Sequence, residues 1–79
     1  MTVVHLQWID SCAEIGWDEF KATDGFDVTH SVGLVVNEGE HYTVIANSYD
    51  PKTNEWNGRI SIPNCAIIEA RTICQIKTK

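Results

Sequence analysis

The chain has 79 residues, 43% of them hydrophobic and 22% charged, with a formal net charge of −5. That length makes one domain, 1–79, burying only about 60 to 65% of the surface its unfolded form exposes, and the composition is too apolar for a disordered chain. The charge argues against direct nucleic-acid binding, which draws on lysine and arginine contacts with phosphates, and no window approaches the roughly 20 apolar residues of a membrane span.

The first element is read as a strand over "TVVHLQWI", with Val4, Leu6 and Trp8 on one face and Val3, His5, Gln7 and Ile9 on the other. The start of the chain lacks the basic and apolar blocks of a secretory signal, so the expected location is cytoplasmic. Cys12, Cys65 and Cys74 form an odd, sparse set, unlike a disulfide framework, and are expected to be reduced and mostly buried.

Residues 10–27 carry six of the eleven acids: Asp10, Glu14, Asp18, Glu19, Asp24 and Asp27. Ser11 and Glu14 have capping-box spacing and Gly16 sits where a short helix would stop. Trp17 and Phe20 then share one side of a second helical turn, before the Asp24-Gly25 turn signal. A short helical excursion is expected here.

"HSVGLVVNEGEHYTVIANSYD" reads as a β-hairpin, with Val32, Leu34 and Val36 on one face of the first arm and Tyr42, Val44 and Ala46 alternating in the second. Gly33 suggests sharp curvature or a close backbone approach. "SYDPKTNEWNG" reads as a long polar loop punctuated by Pro51 and Gly58. Ile60 and Ile62 mark the next strand, and Pro63, which cannot donate to a ladder, ends it in a one-turn corner over residues 63–66. The last strand places Ile68, Ala70, Thr72, Cys74 and Ile76 on one face and Ile67 and Ile73 on the other, with Ile60, Ile62 and Ile68 in the core. Five short strands in so short a chain predict a mainly β fold, a small SH3-like or Sm-like barrel. The alternative is an open α+β meander with a helix over residues 11–21 covering one face.

The stretches "QWIDSCAEIGW", "HSVGLVV", "HYTVIANSY" and "ISIPNCAII", which span most of the chain, resemble a set of uncharacterised small β-rich, SH3-like proteins encoded by bacteriophages. The resemblance implies a phage or prophage origin and a compact β-rich fold. It carries over no functional residues.

Residue chemistry gives no catalytic motif. Cys12, His5, His30, His41, Cys65 and Cys74 include no close metal-binding pair, and neither Cys12 nor Cys65 has a base placed beside it by the sequence. The paired carboxylates Asp18 and Glu19, and Asp10 and Glu14, sit on an acidic surface that does not split their pKa values. That surface serves solubility or faces a basic groove on a partner. No cofactor, metal or catalysis is expected. Trp8 alternates with core residues, whereas Trp17, Tyr49 and Trp56 sit on irregular segments, where aromatic residues either fold back or anchor an interface. The partner-binding set is therefore Trp17, Asp18, Glu19, Tyr49 and Trp56. The expected function is binding and modulation of a bacterial host protein. The alternatives are a homo-oligomeric barrel that binds or sequesters a nucleotide-like small ligand, and a mimic of DNA charge acting on a nucleic-acid-binding host protein.

Overall fold

The computed structural model describes residues 1–9 and 28–77. The helical excursion expected over residues 11–21, with Cys12, Trp17, Asp18 and Glu19, lies outside the described residues. Among the described residues seven strands appear in chain order: β1 (Thr2–Trp8), β2 (Thr29–Glu38), β3 (Tyr42–Ala46), β4 (Ser48–Asp50), β5 (Glu55–Asn57), β6 (Ile60–Pro63) and β7 (Ile67–Gln75). Five form an antiparallel sheet in the order β6-β3-β2-β1-β7, and β4 and β5 form a separate two-stranded ribbon. The five strands of the sheet are those legible in the sequence.

The core collects on one face. β1 contributes Val4, Leu6 and Trp8, and Ile45, Ile62 and Ala66 close over them, with Val35 and Ile67 packed alongside. Leu6 and Ile62 are almost completely enclosed, at 2% and 0% exposure, so each carries close to the full transfer value of about 1.5–3 kcal/mol. The Trp8 indole N–H donates to Ser31 Oγ at 2.9 Å, which satisfies its polar edge inside the apolar cluster.

β6 and β7 are the two edges of the sheet, and a 3₁₀ turn over Asn64–Ala66 joins them. The expected corner is therefore present, and Asn64 explains its stability. Its backbone N–H donates to His41 O at 2.8 Å. Its side-chain amide donates to Gly39 O at 2.9 Å and Glu40 O at 3.1 Å, while its Oδ1 accepts from Thr43 Oγ1 at 2.7 Å. One asparagine thus ties the corner to the β2–β3 turn.

The expected closed barrel is corrected: among the described residues no ladder joins β6 to β7, and the sheet stays open. β6 is only four residues long and ends on Pro63, which has no N–H with which to extend a second ladder.

The hairpin does not bury one alternating face throughout: Ala46 is buried, and so is its neighbour Ile45. Val32 is 57% exposed and Tyr42 54%, whereas Ile45 is buried at 2%. Val35, not Leu34, packs against the core. Gly33 pairs with Val4 and is buried, and a Cβ built on it would come within 2.9 Å of Ala46 O and 3.2 Å of the Ile45 Cβ and Cδ1 atoms. The close approach expected at Gly33 is real, and it leaves no room for a side chain at this position. On β7 the alternation slips because register shifts fall between Val3 and Val4 and between Gln7 and Trp8 of the paired strand. Ile67 turns toward the core and Ile68 is left 51% exposed, while Ile60 is 39% exposed. Only Ile62 of the three expected core isoleucines is buried. Cys65 and Cys74 are exposed, contrary to the expectation of buried thiols.

Candidate functional site

The polar stretch expected as a loop is the outer half of one long hairpin. Ile45 faces Ile60 in the β3–β6 ladder, and three residues further along Ser48 faces Asn57, followed by Tyr49 facing Trp56 and Asp50 facing Glu55. The same register runs through both ladders, interrupted at Ala46–Asn47 and Gly58–Arg59. There the Asn47 N–H still donates to Asn57 O at 3.0 Å, and Gly58 takes φ +69°, a conformation that costs glycine little.

The tip is built by local chemistry. Pro51 supplies a fixed φ, Asp50 Oδ1 accepts from the Lys52 N–H at 2.9 Å, and the Asn54 N–H returns to Asp50 O at 2.7 Å. Asn54 itself sits at φ 60°, a left-handed conformation that asparagine tolerates. The Tyr49 hydroxyl donates to Asn54 Oδ1, locking the aromatic ring to the turn.

Tyr49 and Trp56, both expected in a partner-binding set, are brought together as a directly opposed cross-strand pair. Their ring centroids lie 4.5 Å apart with planes tilted by 41°, an arrangement worth about 0.5–1.5 kcal/mol beyond burial. Both are half-buried, lie outside the core cluster, and are flanked on each side by exposed residues. The Trp56 indole N–H has no acceptor among the described residues, unlike that of Trp8. Asp50 and Glu55, opposed one step further out and both exposed, set two like charges across the ribbon, which weakens it slightly. A cleft of about 420 Å³ runs along this ribbon between Tyr49, Asp50, Thr53, Glu55 and Trp56. Asp50, Asn54 and Glu55 were not singled out from sequence; the available signal was the symmetric placing of Tyr49 and Trp56 about the Pro51–Asn54 turn.

Trp17, Asp18 and Glu19 lie outside the described residues. Elsewhere, His5 and His30 stack with ring centroids 5.1 Å apart and a 2.9 Å Nε2···Nδ1 hydrogen bond. Among the described residues no three His, Cys, Asp or Glu side chains converge to hold a metal, and no helix is long and apolar enough to cross a membrane. A cavity of about 180 Å³ opens beside Val4, Leu6, Val35, Ile67 and Thr72, with Glu38 and Arg71 at its margin. It is below the range of about 300–1,000 Å³ in which small ligands are held. Comparison with models of known protein families, with curated proteins and with solved structures gives no match to this chain.

Proposed function

We propose that this chain is a non-catalytic protein-binding module of phage type that engages and modulates a bacterial host protein in the host cytoplasm, with the β4–β5 ribbon as its contact surface. The observation that carries the reading is the Tyr49–Trp56 pair: two large aromatic rings held outside the core, one with an unused indole donor. Rigid aromatic side chains with a polar tip dominate binding energy at protein interfaces because they bury much area for little lost rotamer freedom. The partner that fits has an apolar recess for the rings, flanked by basic groups that meet Asp50 and Glu55. The SH3-like relationship belongs to the same reading, supported by the strand order and by the 3₁₀ turn that links the edge strands. The sequestering alternative has weaker support, since the cavity beside Val4 and Leu6 is small.

The test is affinity capture from a bacterial lysate with the wild-type chain, Trp56→Ala and Tyr49→Ala, each first shown to fold by circular dichroism. A host protein retained by the wild type and lost with both variants supports the ribbon. Retention of the same protein at equal yield by both variants refutes it, and competition of that protein by duplex DNA would favour the charge-mimic reading instead.

A further inference from the structure

Of the two edges of the sheet, β6 is short and ends on a proline, whereas β7 runs nine residues, Ile67–Gln75, without a proline. All of it after Ile67 is exposed, including Ile68 and Ile73 at 51% each. A long edge with unpaired backbone groups is a template for another strand. Among the described residues β7 pairs with β1 alone.

The charge pattern of this edge identifies the strand that fits it. Glu69 and Arg71 project on the same outer face, opposite Gln7 and His5 of β1. Glu69 Oε1 accepts from Gln7 Nε2 at 3.0 Å and lies 3.8 Å from Arg71 Nη2, while Oε2 has no partner among the described residues. We propose that β7 pairs antiparallel with β7 of a second copy about a two-fold axis through Ala70, extending the sheet from five strands to ten. A two-fold axis perpendicular to the sheet keeps each face on its own side, so the facing residues must share a face and the register can change only in steps that move the axis by one residue. With the axis at Ala70, Glu69 of each copy opposes Arg71 of the other, twice. Moving the axis to Arg71 sets arginine against arginine, and moving it to Glu69 sets glutamate against glutamate, both unfavourable as direct cross-strand pairs. The regular stretch Glu69–Thr72 between the two register shifts supplies the pairing segment, and Ile68 and Ile73 flank it on either side. The closed symmetry of such a contact ends at the dimer.

Sedimentation equilibrium over a wide concentration range tests the contact, together with charge variants checked for unchanged melting. The wild type should dimerise. Glu69→Arg or Arg71→Glu alone should raise the dimer dissociation constant about tenfold, the change expected when two attractive cross-strand pairs become repulsive. The swap Glu69→Arg with Arg71→Glu should restore it. Ala70→Cys should oxidise to a crosslink that joins position 70 to position 70, because opposed residues of an antiparallel pair have Cα atoms about 4.5–5.5 Å apart, within disulfide reach. A monomeric wild type at millimolar concentration, a swap variant no better than the single variants, or a dimer that gives no 70-to-70 crosslink overturns the proposal.

Discussion

Replacing Gly58 by alanine tests how the ribbon is attached to the sheet. At φ +69° an alanine costs about 1–2 kcal/mol relative to its preferred backbone. Its Cβ would also lie 2.6 Å from Asn47 Nδ2, 3.0 Å from Cγ and 3.1 Å from Cβ. The amide nitrogen can swing away, but the Asn47 Cβ is fixed to its backbone, so part of the clash stays and the total strain reaches about 1–3 kcal/mol. The ribbon lies outside the core, and an isolated two-stranded ribbon is marginal in water. The strain is therefore released by opening the ribbon before the sheet unfolds. Each 1.4 kcal/mol is tenfold in the opening equilibrium, so hydrogen exchange at the Asn47 and Asn54 amides, bonded to Asn57 O and Asp50 O, should quicken about 5- to 150-fold in Gly58→Ala. Amides of Leu6 and Ile45 should change much less. Adding Asn47→Gly should recover the contact part and leave the φ part. Unchanged protection at Asn47 and Asn54, or complete recovery in the double variant, would refute the assignment of strain to that backbone conformation.

Two further substitutions probe the sheet itself. Asn64→Ala removes three side-chain hydrogen bonds at the corner; at about 0.5–1.5 kcal/mol each, urea unfolding should show a loss of about 2–4 kcal/mol, a large part of the roughly 3–5 kcal/mol net that a core of this size supplies, and Asn64→Asp, which keeps the acceptor, should lose less. Gly33→Ala drives a Cβ to 2.9 Å from Ala46 O and should cost about 1–3 kcal/mol, read as a fall in melting temperature of about 4–8 °C per kcal/mol; a melting temperature equal to wild type would mean that the bend is not packed against Gly33.

The parts of this fold legible in the sequence are those where one physical signal has one solution. The alternation of Val4, Leu6 and Trp8 admits only one buried face, and Pro63 admits only a strand end. "VGLVV" is different, since apolar residues occupy both parities and large side chains at Val32, Leu34 and Val36 make the wrong face look like the core. What decides is space: a Cβ at Gly33 would meet Ala46 O and the Ile45 side chain, so that side of β2 takes no larger residue there. The β7 face was missed for a related reason. Strict alternation from Ile68 to Ile76 ignores two register shifts that no residue in the strand announces. The ribbon was hidden by composition, because Ser48, Asp50, Asn54, Glu55 and Asn57 read as a loop although the cross-strand partners Tyr49 and Trp56 were both visible. Of the candidate site, those two aromatic residues were legible and their stacking was not, since it depends on a register carried through Asn47 and Gly58 from the sheet.

The ribbon and the β7 edge lie at opposite ends of the strand order. The ribbon arms continue β3 and β6, whereas β7 pairs with β1 at the far side. Pairing through β7 therefore leaves both ribbons free, and a dimer presents two copies of the Tyr49–Trp56 pair. Against a partner with two accessible sites, the second contact becomes intramolecular and can strengthen binding by about 10²–10⁴ with no new contact; against a partner with one site it changes stoichiometry alone. The two surfaces are thus separable in one experiment. Arg71→Glu should reduce capture by a multivalent partner while leaving the affinity of a single ribbon intact, and Trp56→Ala should abolish the contact while leaving the dimer. A variant set in which both losses always occur together would mean that the aromatic pair and the strand edge belong to one surface, against the strand order that places them apart.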